Sequence, residues 1–423
     1  MQGPWSDGVP ERWSIRPLWS EFRRGKTLGD GSEELLSVYR DYGVIPKSSR
    51  EDNFNKASED LSKYQRVSVG DLVVNKMKAW QGSLGISDYD GIVSPAYFVY
   101  RAIGRIERRF AHYLLRSKEY ADHMAAISSG IRPNQWDLDP AQFAVTPLLV
   151  PPPAEQRAIA DYLDRETAQI DAFIAKNEEL IALLTERRAA TVARSVLRGI
   201  DPKAALRSSG VSWLGDVPTH WRVSRLSRWF SVTLGKMLDE SKFASTVGEV
   251  LPYVRASNIK PEHLDLTDVK SMPFTRFEQK KLSLRAGDLV VVEGGSVGVN
   301  APIEGDMPRW GFQKTVNRVR SLRGDLTRFL GYQLDVIREA GVLNMIANVS
   351  TIQHLTAEKL ERLVIAMPPR SEQIVIVDHV RRATTDIDKT VQGARRAIDL
   401  ARERRVALIS AAVTGKIEVG VAA

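Results

Sequence analysis

The sequence predicts an α+β protein built from two copies of one module, each a globular part followed by a long helix. The main observation is a repeat: the segment from Leu148 to Gln156 recurs from Leu363 to Gln373, with both copies carrying Pro-Pro-x-x-Glu-Gln. Glu155 is aligned with Glu372, and the match continues without a gap through Glu186-Arg-Arg188 and Glu403-Arg-Arg405. The period is about half of the chain, far beyond the roughly 20–50 residues of solenoid repeats, so it indicates a duplicated module.

The globular parts recur more weakly. With a slightly shorter shift, five positions of the first part match five of the second: Trp5, Pro10, Trp13, Leu18 and Phe22 fall on Trp213, Pro218, Trp221, Leu226 and Phe230. Further on, Gly70-Asp-Leu-Val-Val corresponds to Gly287-Asp-Leu-Val-Val. The shift changes along the chain because the loops of the two copies differ in length.

Composition is consistent with two to four folding units, since ordinary domains hold roughly 100–200 residues and the chain has 423. With 43% hydrophobic and 26% charged residues, a wholly disordered chain is excluded. There is no cysteine, which excludes disulfides and thiolate chemistry.

The N-terminal residues lack the pattern of a secretory signal, and no apolar stretch is long enough to span a membrane, so a cytoplasmic protein is expected. The net charge of +8 is compatible with a polyanionic partner.

The first globular part predicts strands over residues 67–74 and 92–100 and a helix over 109–125. The second predicts strands over 284–292 and 315–320 and a helix over 326–340. The glycine-containing segments 81–85 and 294–298 predict turns between strands, because glycine adopts positive φ without steric cost.

The first long helix is predicted over 155–197, a stretch that contains neither Gly nor Pro and would extend roughly 65 Å. Its apolar stripe has helical spacing and comprises Ile159, Leu163, Ile170, Ile174, Ile181, Leu184 and Val192. The corresponding stripe of the second copy comprises Ile374, Val377, Val380, Ile387, Val391, Ile398 and Val406. Acidic residues lie early and arginines late in the first helix, so the two stripes are suited to antiparallel pairing as a coiled coil. The alternative is two unrelated amphipathic helices, each lying on its own domain.

Sequence motifs for catalysis are not met. Gly25-Lys-Thr27 lacks the earlier glycine of a phosphate-binding loop, since Ser20 stands at that position. The histidines, at 112, 123, 220, 263, 354 and 379, do not fall at the spacing of metal ligands. The sequence therefore predicts neither catalytic residues nor a metal site.

Three further motifs are Trp213-Leu-Gly-Asp-Val-Pro-Thr-His-Trp221, Tyr253-Val-Arg-Ala-Ser-Asn-Ile259 and Ser94-Pro-Ala-Tyr97. In these motifs the chain resembles the specificity subunit of a type I restriction-modification enzyme. The most specific part of the resemblance is the duplicated Pro-Pro-x-x-Glu-Gln that opens each long helix. The resemblance covers essentially the whole chain.

This resemblance implies two target recognition domains with an internal pseudo-twofold duplication, joined by two long antiparallel coiled-coil helices. The expected divisions are 1–147 for the first recognition domain, 148–201 for the central helix, 202–362 for the second domain, and 363–423 for the distal helix and tail. Each domain is expected to read one half of a bipartite, asymmetric target in double-stranded DNA.

The resemblance also implies partners. Two methyltransferase subunits and the restriction subunits are expected to be directed to the target by this chain, which is itself expected to be non-catalytic and without a membrane partner. The chain is expected to bind no cofactor, because S-adenosylmethionine, ATP and magnesium belong on the partner subunits. Two alternatives stay open: a single-chain enzyme, and a non-catalytic helical adaptor that reads no DNA sequence.

Candidate DNA-binding residues are polar side chains near the predicted turns. Arg is the usual partner of guanine and Asn or Gln of adenine, whereas Lys, Ser and Thr mostly position phosphates. In the first domain the candidates are Lys76, Lys78, Trp80, Gln81, Asn134 and Gln135. In the second they are Arg255, Ser257, Asn258, Lys260, Lys314, Thr315 and Asn317.

Overall fold

The computed structural model describes residues 8–40, 42–50, 60–132, 135–237, 248–347 and 354–420. The chain divides into two compact units. The first unit comprises Met1–Glu178 and Ala394–Ala423, and the second unit comprises Glu179–Gly393. Both divisions between the units fall inside long helices.

The first unit contains short strands, three short helices and the beginning of a long helix. Its strands are β1 (Ser14–Pro17), β2 (Phe22–Gly25), β3 (Leu36–Tyr39), β4 (Gly43–Pro46), β5 (Gln65–Val67), β6 (Leu72–Asn75), β7 (Leu84–Ile86), β8 (Gly91–Val93), β9 (Tyr97–Ala102), β10 (Ser128–Arg132), β11 (Gln135–Leu138) and β12 (Pro147–Val150). Its helices are α1 (Arg108–Arg116), α2 (Lys118–Ala126), α3 (Pro140–Ala144) and the first part of α4 (Pro153–Arg198).

The second unit has a comparable composition. Its strands are β13 (Leu206–Ser208), β14 (Asp216–Pro218), β15 (Arg222–Arg225), β16 (Phe230–Leu234), β17 (Glu249–Val254), β18 (Ile259–Lys260), β19 (His263–Leu264), β20 (Lys270–Phe274), β21 (Leu289–Val292), β22 (Asn300–Pro302), β23 (Gly311–Phe312), β24 (Val316–Ser321) and β25 (Val364–Met367). Its helices are α5 (Arg276–Lys281), α6 (Thr327–Glu339), α7 (Val342–Ala347), α8 (Ala357–Arg362) and the first part of α9 (Arg370–Val413).

One four-stranded antiparallel sheet occurs in each unit with the same order. The first has the order β2-β9-β6-β7 and the second β16-β24-β21-β22. The β6 and β21 strands begin with the repeated Leu-Val-Val, whose side chains are completely buried in both units. The repeat in sequence is therefore a repeat of the central sheet.

Predicted elements agree with the structure in kind more closely than in extent. The 326–340 segment forms α6. The 92–100 segment forms two strands, β8 and β9, and the 109–125 segment forms two helices because Ser117 adopts an extended conformation between them. Within 67–74, Gly70 has φ +94° and turns the chain into β6. The predicted turns join β6 to β7 and β21 to β22.

The long helices cover 46 residues in α4 and 44 in α9. The predicted stripe of α4 faces inward: Ile159, Leu163, Ile170 and Val192 are buried, and Ile174, Ile181 and Leu184 are half-buried. In α9, Ile374 and Val406 are 41% and 49% exposed, so their assignment to the buried stripe is wrong.

The inward faces also contain polar residues, which the apolar stripes did not include. Thr167 and Thr384 occupy equivalent positions and are both buried. Each hydroxyl donates to the carbonyl one turn earlier, Thr167 to Leu163 at 2.7 Å and Thr384 to Val380 at 2.9 Å. The hydrogen bond satisfies the hydroxyl locally, so a threonine occupies a buried position that hydrophobicity alone does not identify.

The two long helices pack against each other within each unit. In the first unit, Arg405 pairs with Asp171 at 3.0 Å and Arg402 with Glu178 at 3.1 Å, a register that runs antiparallel. In the second unit, Arg188 pairs with Asp388 at 3.1 Å. The alignment of the repeats places Arg188 on Arg405 and Asp171 on Asp388, so the same interhelical pair occurs twice.

The hydrophobic cores join helix and sheet. In the first unit, Leu163 near the start of α4 and Val413 at the end of α9 belong to the core that holds Leu72. In the second unit, Val196 near the end of α4 and Ile376 near the start of α9 belong to the core that holds Leu289. The predicted α+β class, with two globular domains joined by two long helices, is confirmed. Among the described helices, none is sufficiently long and apolar to cross a bilayer.

Candidate nucleic-acid interface

Each globular domain is fixed to a long helix by the glutamate of the Pro-Pro-x-x-Glu-Gln motif. In the first unit, Glu155 accepts hydrogen bonds from the indole Nε1 of Trp13 at 3.0 Å and from the guanidinium of Arg12 at 2.8 Å. In the second unit, Glu372 accepts from the indole Nε1 of Trp221 at 3.1 Å and pairs with the imidazole of His220 at 2.7 Å. A tryptophan at the start of each domain therefore binds the helix that follows it.

The glutamine of the motif makes a second connection. The side chain of Gln156 donates to the carbonyl of Pro151 and accepts from the backbone N–H of Glu107, both at 2.7 Å. Gln373 donates to Pro368 at 2.9 Å and accepts from the N–H of Leu326 at 2.8 Å. Glu107 and Leu326 are the N-cap residues of α1 and α6. The glutamine thus binds the start of a helix that packs on the sheet.

The candidates of the first domain cluster where β6 ends. Lys76 lies half-exposed directly after β6, and Lys78 is exposed. The Trp80 indole donates to the carbonyl of Met77 at 3.1 Å, and Gln81 is half-buried in the same turn. These four predicted residues are brought together by the turn into β7.

The remaining candidates of the first domain lie beside β11. Asn134 lies outside the described residues, and Gln135 is the first residue of β11. Trp136, which follows it, stacks at an angle on Trp80 with ring centroids 5.0 Å apart. Trp136 was absent from the candidates because its position against Trp80 depends on the pairing of β10 with β11.

Strand pairing brings the candidates of the second domain together. The β17 and β23 strands run parallel, and the N–H of Gln313 donates to the carbonyl of Val254 at 2.9 Å. The following loops therefore approach each other, and the Thr315 hydroxyl accepts from the N–H of Ala256 at 3.4 Å. Ser257 and Lys314 are exposed on these loops.

Arg255 and Lys260 lie on either side of the exposed candidate Ser257, Arg255 after β17 and Lys260 at the end of β18. The Arg255 guanidinium pairs with the carboxylate of Asp268, and its side chain is only 20% exposed. Lys260 is exposed on the short strand β18. As base or phosphate contacts, both stay predictions.

Two of the predicted residues lie inside the second domain. Asn258 is 3% exposed and its amide donates to the carbonyls of Asp265 and Asp268, both at 2.9 Å. Asn317 is completely buried on β24 and donates to the carbonyl of Leu355 at 2.9 Å. Their amides bond to backbone carbonyls of the domain in this structure, and as base contacts both stay predictions.

One acidic residue of this region was not predicted. Glu293 follows β21, and its carboxylate oxygen Oε1 lies 3.9 Å from Nδ1 of His354. The side chain is only 12% exposed, and burial raises the pKa of Glu293, an effect that His354 and Lys314 oppose. Alignment of the repeats could have identified it, because the shift that aligns Glu155 with Glu372 also aligns Lys76 with Glu293.

The chemistry of these surfaces is that of hydrogen-bond donors and acceptors. Within the described ranges, no group of three or more His, Asp or Glu side chains is placed to hold a metal ion. The first domain offers lysines and a pair of indoles, and the second offers an exposed lysine, an exposed serine, a half-buried threonine and one carboxylate. Such side chains bind phosphates, base edges and the faces of bases.

Residues 218–392 match the family model described as the type I restriction modification DNA specificity domain. The chain is 21% identical over 430 residues to the type I restriction enzyme EcoKI specificity subunit of Escherichia coli (strain K12), covering 97% of this chain and 90% of that protein. It is 20% identical over 434 residues to the StySPI specificity subunit of Salmonella potsdam, with the same coverages.

Solved structures show the same fold. A chain from a structure of a type I R-M system matches with a TM-score of 0.66 at 17% identity, covering 97% of this chain and 99% of that one. The HsdS subunit from Thermoanaerobacter tengcongensis matches with a TM-score of 0.56 at 15% identity, covering 97% and 98%. The chain thus contains a match to the type I restriction modification DNA specificity domain over residues 218–392, is similar along 97% of its length to type I restriction enzyme specificity subunits, and shares the fold of the solved subunits.

Proposed function

We propose that this chain is the subunit that recognises DNA for a type I restriction-modification complex, with each globular domain reading one half of a bipartite, asymmetric target. The main support for the proposal is that the two units share one frame, meaning the sheet order and the Trp–Glu connection, but differ in their surface loops. Both units contain the same sheet order and the same Trp–Glu connection, yet the loops at the ends of their sheets carry different side chains. Two similar frames with different loops suit two half-targets of different sequence.

The loops support a role in DNA binding by their chemistry. In the first domain, Lys76 and Lys78 flank the Trp80–Trp136 pair, and in the second domain Lys314 and Ser257 are exposed. Lysine binds phosphates, and hydroxyl groups bind phosphates or base edges. The half-buried indoles of this pair are flat aromatic groups of the kind on which bases stack.

The proposal also covers partners. The chain directs two methyltransferase subunits, and with them the restriction subunits, to the target, while these partners carry S-adenosylmethionine, ATP and magnesium. The chain itself performs no reaction and acts in the cytoplasm. The names of the relatives as specificity subunits of restriction enzymes support this division of labour.

Mapping of modified bases tests the proposal. The genomic DNA of a host is sequenced for methylation with the partner methyltransferase and this chain, with the chain deleted, and with residues 202–362 exchanged for those of a relative. The expected result is a split motif that disappears on deletion and changes in one half on exchange. Identical methylation in all three hosts would exclude the proposed role with that partner.

A further inference from the structure

The two domains carry opposite charges at one equivalent position. Lys76 and Glu293 are aligned by the repeat, and each follows the central Leu-Val-Val strand of its sheet. The ammonium of Lys76 lies near a carboxylate, and the carboxylate of Glu293 lies near an imidazole. Lys76 Nζ is 3.7 Å from Asp137 Oδ2, and Glu293 Oε1 is 3.9 Å from His354 Nδ1.

The partners are equivalent as well, because the same alignment places Asp137 on His354. Backbone hydrogen bonds show that the correspondence is structural. The N–H of Leu138 donates to the carbonyl of Lys76 at 2.9 Å, and the N–H of Leu355 donates to that of Glu293 at 2.8 Å. The same frame therefore holds a Lys–Asp pair in one unit and a Glu–His pair in the other.

The other hydrogen bonds of this position also repeat. The N–H of Lys76 donates to the carbonyl of Ala96 at 3.4 Å, directly before β9. The N–H of Glu293 donates to the carbonyl of Thr315 at 2.9 Å, directly before β24. Thr315 and Lys314 belong to the loop that the proposed function assigns to DNA, so Glu293 lies at the base of that loop.

A carboxylate at the base of a loop assigned to DNA can accept a hydrogen bond from a base. Phosphates repel Glu293, so the general attraction of DNA to basic residues does not account for it. Its Oε2 atom has no hydrogen-bond partner in the part of the chain that the structure describes, and because this atom is buried it can contact a base only after the side chain rotates outward. A buried acceptor without a donor costs free energy. The amino group N4 of cytosine is the base donor that carboxylates accept from in the major groove.

Lysine at the same place has the complementary preference. Guanine presents two acceptors, O6 and N7, at its major-groove edge, and lysine donates to them. Lys76 is 32% exposed at its side chain, and its weak pairing with Asp137, itself 59% exposed, leaves the ammonium able to turn toward a base.

We propose that Lys76 and Glu293 are equivalent specificity-determining residues, with Glu293 reading a cytosine in one half-target and Lys76 reading a guanine in the other. This inference rests on the proposed function and adds the residue and base class to it. The pair partners Asp137 and His354 lie at equivalent positions beside the proposed reading side chains.

The first test is Glu293→Gln in the full chain with its methyltransferase partner, read out by mapping modified bases. The amide is nearly isosteric but offers one acceptor and one donor in place of two acceptors. One base position in one half of the motif should lose its preference for cytosine by about 5- to 150-fold, the range of one good side-chain-to-base contact. Glu186→Gln, an exposed glutamate on α4, is the matched control and should leave the motif unchanged.

A second variant separates reading from structure. Glu293→Lys combined with His354→Asp places the pair of the first unit into the second, with opposite charges side by side in the variant. If Glu293 reads a base, the motif changes at the same position toward guanine. If the pair only stabilises the loop, the double variant keeps the wild-type motif and the wild-type unfolding temperature, and the inference is overturned.

The reciprocal exchange, Lys76→Glu with Asp137→His, should change the other half of the motif from guanine toward cytosine. Lys176→Gln, an exposed lysine on α4, is its control. An unaltered half-motif in the reciprocal variant would overturn the assignment of Lys76. Failure of the proposed function gives a different result, because the wild-type chain itself would then produce no split motif.

Discussion

Glu155 and Glu372 show at the scale of single residues how the repeated motif works. Each carboxylate accepts the indole N–H of a tryptophan that is almost completely buried, Trp13 in the first unit and Trp221 in the second. A buried donor without an acceptor costs about 1–3 kcal/mol. The shared position of the glutamate after the proline pair is thus explained by attachment of the domain to its helix.

Removal of this acceptor should destabilise the first unit. We expect Glu155→Ala to lower the free energy of unfolding by about 1–3 kcal/mol, because the indole of Trp13 and the guanidinium of Arg12 both lose their partner. Urea denaturation followed by tryptophan fluorescence measures this change. The control Glu179→Ala removes an exposed glutamate of α4 and should change stability by less than about 0.5 kcal/mol. Equal stability of the two variants would contradict the role of Glu155.

His112 makes the stability of the first unit depend on pH. Burial lowers the pKa of His112 to about 3, helped by the charge of Arg116, whereas the ordinary value is 6.5. Below pH 6.5 His112 therefore becomes protonated in the unfolded chain, whereas in the folded chain it stays neutral down to about pH 3. The contribution of neutral His112 is fully present above pH 6.5 and is lost as the pH falls toward 3.

Acid titration of a variant checks this dependence. In His112→Gln the urea midpoint should fall less between about pH 7 and pH 5 than in the wild type, because glutamine cannot take up the proton. The Gln side chain can still accept from Arg116 and donate to a carbonyl. The same pH dependence in both proteins would show that His112 is not the group responsible.

At the scale of elements, the helix pair depends on its buried face. Ile170 is 8% exposed on α4, whereas Phe173 on the same helix is 47% exposed. We expect Ile170→Asp to destabilise the protein by about 3–5 kcal/mol, since it buries a charge without a partner. Phe173→Asp should change stability by less than about 1 kcal/mol. Thermal unfolding of both variants is the measurement, and similar unfolding temperatures would contradict the assigned helix faces.

The helices also show how much the sequence can predict. Their existence, length and antiparallel pairing followed from a gap-free repeat and from apolar spacing. The inward face of α9 did not follow completely, because Thr384 is buried through a local hydrogen bond while Ile374 is exposed. Periodicity measures hydrophobicity, whereas burial also depends on whether a polar group can satisfy itself within the helix.

The candidate site was predictable to a smaller extent, for a related reason. In the first domain the turn after β6 brings its four candidates together, and in the second domain the loops at 255–257 and 314–315 approach each other. Asn258 and Asn317 have the residue type of a base contact but bond to backbone carbonyls inside the domain. Residue type gives the bonds a side chain can make, and only the fold decides which partner is nearest.

At the scale of the whole molecule, comparison of the two copies distinguishes the contacts that both units share from the loops in which they differ. Both units keep the Trp–Glu connection, the sheet order and the Arg–Asp pair between helices. These contacts recur in both units although the loops of the units differ in sequence. A change of the loops therefore leaves the frame intact, which is the physical condition for a change of specificity without loss of fold.

Salt dependence of DNA binding tests the function of the whole molecule. The chain has a net charge of +8 and exposed lysines on the loops assigned to DNA. Release of counterions from about six to ten phosphates would lower affinity about 10³- to 10⁵-fold between 50 and 200 mM salt. We expect a slope of this order for the full chain on a labelled duplex, measured by fluorescence anisotropy.

The slope also distinguishes phosphate contacts from base contacts. Lys314→Gln should reduce the slope by about 1 and weaken binding to all sequences about equally, because a phosphate contact carries no sequence information. Glu293→Gln should leave the slope unchanged and alter the preference among sequences. A helical adaptor that reads no DNA would show neither effect, and a wild-type affinity independent of salt would favour that adaptor over a specificity subunit.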